Sequence, residues 1–218
     1  MICTKILIIL FLTPFALGLT GKELLDFAVK QYTKVTHTIK TGEQYPSMGE
    51  PNSTTWKTLH AITTDFRVGF YPGILWHLYN YTSDEHWKQL AITATDAMTD
   101  DQYDTKTHDI GFGIMSSFGN GYKFTNNPTY AQVIVTSANS LATRYNPIVG
   151  CTRSWNSKDG FVVIADNMMN LELLFEGWRI SGNKTLYDMA VSHTNRTIIE
   201  HLRKDYSYYQ VIKYNETT

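Results

Sequence analysis

Apolar positions recur with helical spacing along most of this chain. In "KELLDFAVKQYTKV", Lys22 to Val35, the residues Leu24, Leu25, Ala28, Val29 and Tyr32 fall near one face, which predicts an amphipathic helix. Residues 40–65 break that rhythm with Gly42, Pro46, Gly49 and Pro51 and read as a loop. No stretch reads as a convincing strand ladder.

From Gly69 onward one order repeats: an apolar helix, a polar turn, then an amphipathic helix. It appears in "GFYPGILWHLYNYTSDEHWKQLAITATDAM", in "DIGFGIMSSFGNGYKFTNNPTYAQVIVTSANSLATRYN" and in "DNMMNLELLFEGWRISGNKTLYDMAVSHTNRTIIEHLRKD". Each turn is rich in Thr, Ser, Asn, Asp or Gly, whose side-chain oxygens cap the unpaired N–H groups of the next helix. An aromatic (Trp87, Tyr130, Tyr187) starts each second helix, and Pro128 suits a first turn, where no N–H is needed. The first helix of each unit is apolar on most sides and needs neighbours all round; the second has one apolar stripe. Repeated hairpins of this kind predict an all-α protein, an inner helical ring wrapped by an outer one. An irregular helical bundle is the plainer alternative.

Composition narrows the function. The 218 residues carry a formal charge of −1, without the basic excess of a nucleic-acid binder. Five Trp and fourteen Tyr suit either a core or sugar stacking. Residues 1–18 read as a secretory signal peptide: Lys5, the apolar run "ILIILFLTPFALG" and the small-x-small Ala16-Leu17-Gly18. The expectation is a secreted chain, with no membrane attachment after cleavage, whose residues 19–218 form one domain. Sequons at Asn52, Asn80, Asn183, Asn195 and Asn215 suggest a glycoprotein, although Asn195 falls inside an expected helix. Cleavage removes Cys3 and leaves Cys151 unpaired, read as a buried thiol.

If the first helices line the interior, their N-terminal ends open onto its mouth. Two of those starts carry aspartate: Asp109 in "THDIGF" and Asp166 in "IADNMMNLELL". A carboxylate there is ordinarily a cap. Two at corresponding ends strengthen a catalytic reading, because paired carboxylates hydrolyse or hydrate sugars. Burial of Asp166 among Met168, Met169 and Phe112 is expected to raise its pKa and make it a proton donor. His108 adjoins Asp109 and reads as an anion-binding or orienting group, or as a cap. Trp155, eleven residues before Asp166, reads as a sugar platform or as loop packing. Arg144 and Arg153 suit a bidentate grip on a uronate carboxylate, or structural salt bridges. No metal spacing, Gly-rich phosphate loop or G-x-S-x-G elbow stands out, so neither metal nor cofactor is expected.

The segments from "THDIGFGIMSSFGNGYKFTNN" to "GCTRSW" and from "FVVIADNMMNLELLFEGW" to "EHLRKD" resemble the unsaturated glucuronyl hydrolases, glycoside hydrolase family 88, and "GFYPGILW" is also similar. The resemblance covers roughly residues 20–215. It implies an (α/α)6 toroid and an enzyme acting on unsaturated uronic-acid oligosaccharides released by polysaccharide lyases. The chemistry implied is hydration of the C4=C5 vinyl ether, with Asp166 as general acid/base and Asp109 as the second catalytic carboxylate. It also implies that His108 and Trp155 bind substrate.

The chain departs from the family at Tyr206, where a Gly is usual, and at Gln210, where a His is usual. It supplies helices for about half of the ring, and the later H-Q-G and R-G-Q-A-W-G motifs have no counterpart. His193 belongs to an outer helix and is not the missing binding histidine. The expectation is an incomplete toroid with exposed apolar faces on its inner helices. An unsaturated rhamnogalacturonyl hydrolase is the neighbouring enzyme reading, and an inactive sugar-binding or interaction protein is the reading from another class.

Overall fold

The computed structural model describes residues 20–51, 53, 55–63, 65–158 and 160–217. The signal peptide read from residues 1–18, together with Cys3 and the Asn52 sequon, lies outside the described residues. The chain divides into two compact units, Met1–Thr38 and Ile39–Thr218. The described part of the first carries one helix, α1 (Gly21–Thr38), matching the apolar spacing from Lys22 to Val35.

The second unit is built from three helical hairpins. The first pairs α2 (Phe70–Thr82), entered through a 3-10 turn at Phe66–Gly69, with α3 (Glu85–Asp96). The second pairs α4 with α5 (Pro128–Ala142). Helix α4 spans 110–125 as two α-helical ends, Ile110–Ile114 and Asn120–Thr125, around a π turn at Met115–Gly119. The third pairs α6 (Asn167–Ser181) with α7 (Lys184–Arg196), which runs on into a π turn at Thr197–His201.

The expected caps are in place. Asp84, Asn127 and Asn183 accept the backbone N–H two residues on at the starts of α3, α5 and α7. Pro128 occupies the first turn of α5. Helix α5 buries Tyr130, Val133, Ile134, Ser137, Ala138 and Leu141, one stripe at 3.6-residue spacing. Helix α4 shows no exposed residue between Ile110 and Tyr122, as an inner helix should. The inner helices α2, α4 and α6 touch in series, and the outer helices α3, α5 and α7 back them. Fully buried Leu75, Leu171 and Leu174 stabilise these contacts by about 2 kcal/mol each.

Two close approaches set the spacing of the inner row. A Cβ on Gly69 would lie 2.7 Å from Gly113 Cα, and one on Gly111 would lie 2.7 Å from Asn170 Cα. Only glycine lets these backbones meet so closely.

Short strands are an addition to the sequence reading. The segment taken as a loop, 40–65, holds a hairpin of β1 (Tyr45–Gly49) and β2 (Trp56–Leu59). Strands β3 (Tyr145–Asn146) and β4 (Cys151–Thr152) pair antiparallel, as do β5 (Phe161–Ile164) and β6 (Val211–Tyr214). Cys151 is a free, fully buried thiol packed against Val149, Phe161 and Val163, and burial pushes its pKa up to about 12. Among the described residues no helix is long and apolar enough to cross a membrane.

Candidate active site

Asp109 and Asp166 occupy the N-cap positions of α4 and α6, and neither makes a side-chain cap bond. Both have helical backbone angles (φ −68°, ψ −5° and φ −75°, ψ −6°), unlike the extended N-caps of α3, α5 and α7. Their carboxylates are therefore not consumed by the helices they begin. The plain capping reading fails at both positions.

The surrounding loops hold the two starts together. The His108 backbone N–H donates to the Ser154 carbonyl at 3.0 Å, and Thr107 bridges Trp155. Asn167, the first residue of α6, accepts from Ser154 Oγ at 2.6 Å and donates to the Thr152 carbonyl at 2.9 Å. Ser154 Oγ in turn accepts from the Ile164 N–H at 2.9 Å. One buried amide thus ties the loop carrying Trp155 to the helix start carrying Asp166.

His108, Asp109 and Asp166 each place one donor atom within 4.8 Å of the others. That spacing would let the three share a divalent cation, or let the two carboxyl groups share a proton. His108 Nε2 lies 3.4 Å from Asp109 Oδ1. Thr107 Oγ1 donates to Asp109 Oδ2 at 3.2 Å. Asp166 Oδ1 is buried with no hydrogen-bond partner among the described residues.

Burial raises the pKa of both carboxyl groups. At Asp109 the Thr107 hydroxyl opposes that rise and the negative charge of Asp166 adds to it. His108 goes the other way: burial, reinforced by the positive charge of Arg144, pushes it down to about 3, so its ring is neutral near pH 7. Of the expected surroundings, Met169 is 63% exposed and covers little of the site, while Phe112 forms one aromatic cluster with Phe66 and Phe70, with ring centroids 5.5–6.3 Å apart.

No family model matches the chain. An unsaturated glucuronyl hydrolase of Formosa agariphila is 40% identical to it over 196 residues, which cover 85% of this chain and 49% of that protein. The crystal structure of an unsaturated glucuronyl hydrolase specific for heparin matches with a TM-score of 0.82 at 35% identity, over 88% of this chain and 51% of that one. The chain is related to the unsaturated glucuronyl hydrolases. An unsaturated glucuronyl hydrolase of Streptococcus agalactiae, at 22% identity and a TM-score of 0.80 over 93% of this chain and 52% of that one, shares the fold. The helical hairpins are those of the unsaturated glucuronyl hydrolase α/α barrel, and the chain spans about half the length of these relatives.

Within this unsaturated glucuronyl hydrolase-like fold, the residues expected at the site come together. Trp155 is 41% exposed, with its ring centroid 6.5 Å from that of His108. The two arginines are engaged elsewhere. Arg144 is buried and donates to the carbonyls of Arg153 and Thr105 at 2.8 and 2.5 Å, and Arg153 pairs with Glu216 at 2.5 Å. Arg153 keeps the expected structural salt bridge, whereas Arg144 is held by backbone carbonyls in place of one. His193 is also structural: its Nδ1 accepts the Thr152 N–H at 3.1 Å. Sequence reasoning missed Asn167 and Asn170. Both sat in view in "DNMMN", where an amide recurring one helical turn apart after an aspartate was the available signal.

Proposed function

We propose that the chain is an unsaturated uronide hydrolase that works by hydrating the C4=C5 vinyl ether of a lyase-generated oligosaccharide. The observation that carries this reading is the pair of uncapped, pKa-raised carboxyl groups on neighbouring inner helices. Burial raises both groups above the ordinary carboxylate range, and the charge of Asp166 raises Asp109 further, which favours one group acting as acid while the other stays charged. Asp166, with an unpaired buried oxygen, is the proton donor. It protonates C4 and then takes a proton from the water that attacks C5. One water is consumed: its hydroxyl ends on C5, the hemiketal opens, and C1 releases the remaining sugar as an alcohol. Asp109 stabilises positive charge developing on the ring, His108 donates a hydrogen bond to substrate, and Trp155 stacks on the sugar.

Heparin-derived or chondroitin-derived unsaturated disaccharides are the first substrates to try, given what the relatives act on. The apolar leader and the sequons favour secretion as a glycoprotein. The chemistry needs only carboxyl groups and water. The test is ultraviolet absorbance with purified chain and unsaturated disaccharides, comparing wild type with Asp166→Asn. The conjugated double bond disappears on hydration, so absorbance falls with wild type and holds steady with the variant. Steady absorbance with folded wild-type protein that still binds the sugar would leave a binding protein instead.

A further inference from the structure

Asn170 lies on α6 one turn beyond Asp166, is buried, and reaches across to α4. Its Oδ1 accepts the Phe112 backbone N–H at 2.7 Å. A peptide N–H only donates, so this bond fixes which end of the amide is oxygen. The NH2 end then faces His108 Nδ1 at 3.0 Å. An amide NH2 also only donates, so Nδ1 must offer its lone pair. A neutral imidazole has a single N–H, which is thereby placed on Nε2, the nitrogen facing Asp109.

We propose that Asn170 is a positioning residue that locks His108 as the Nε2–H tautomer, giving the site a fixed hydrogen-bond donor beside the Asp109 carboxylate. One consequence follows. A protonated Nε2 has no lone pair for a metal, so His108 does not join Asp109 and Asp166 as a ligand in this tautomer despite their spacing. The lock deepens the hydrolase reading and draws its purpose from it.

Asn170→Asp is the informative change. One carboxylate oxygen still accepts from Phe112, but the other now asks Nδ1 to donate. With that carboxylate charged, the ring must move its proton to Nδ1 or become doubly protonated.

The experiment is long-range 1H–15N correlation NMR on the full chain with 15N-labelled histidine near pH 7, with His108 assigned by its loss in His108→Gln. Wild type is expected to show Nε2 protonated and Nδ1 bare, and Asn170→Asp to protonate Nδ1. In parallel, Asn170→Asp should lower kcat by roughly 10–100-fold with little change in KM. A wild-type ring protonated on Nδ1, or an Asn170→Asp ring identical to wild type, overturns the lock. If the variant does not fold, the wild-type spectrum decides alone. The spectrum is recorded without substrate. A wrong tautomer therefore removes the lock and leaves the hydrolase reading standing, whereas the right tautomer with no turnover removes the hydrolase reading and keeps the lock.

Discussion

Asp109 and Asp166 begin neighbouring inner helices, and neither carboxylate caps the helix it begins. A carboxylate retained in that position without a capping bond is a cost to the fold when it is charged. The cost is informative because it has a definite pH dependence.

Asp166 has its pKa raised above the ordinary 3.8 by burial. Well below pH 3.8 the group is neutral in both folded and unfolded chains and costs nothing. As pH rises past that value the unfolded chain ionises first, so stability is lost through the window up to the raised folded pKa. The amide introduced by Asp166→Asn is neutral throughout. The variant should therefore be at least as stable as wild type in urea at pH 7, with the difference vanishing well below pH 3.8. A loss of about 1 kcal/mol at pH 7 would mean the carboxylate is a cap after all.

Asn167→Ala removes an amide that bonds both Ser154 and the Thr152 carbonyl in a buried setting. Leaving those groups unpaired should cost about 2–3 kcal/mol. The loop carrying Trp155 should loosen with it, which tryptophan fluorescence at low denaturant reads directly. A fluorescence spectrum identical to wild type would show that the loop is held by other contacts.

Trp155→Ala trims a side chain that is 41% exposed, and the bridge to Thr107 runs through the backbone, which the substitution keeps. Stability should change by less than about 0.5 kcal/mol. If the ring stacks on substrate, KM should rise several-fold, a loss of about 1 kcal/mol, with kcat nearly constant. A large fall in melting temperature with unchanged KM would assign the ring to packing.

The helices were legible because their apolar positions repeat at 3.6 residues and their turns carry cap residues such as Asp84, Asn127 and Asn183. The motif residues Asp109, Asp166, His108 and Trp155 were legible from type and order. The β pairs were not. Strand β5 finds its partner β6 some fifty residues later, and β1 contains Pro46, which reads as a turn. Asn170 was hidden for a related reason: its meaning lies in Phe112 and His108, one on a different helix and one just before it. Met169 was expected at the site wall because apolar periodicity marks a face without saying what covers it.

If this carboxyl pair adds water across a double bond, the isotope content of the product shows it most directly. Turnover of an unsaturated disaccharide in D2O should place one deuterium on C4 of the released keto-uronate, delivered by Asp166 from solvent. An unsaturated uronate released intact and without deuterium would contradict the hydration mechanism, because it would mean the glycosidic bond was cleaved directly.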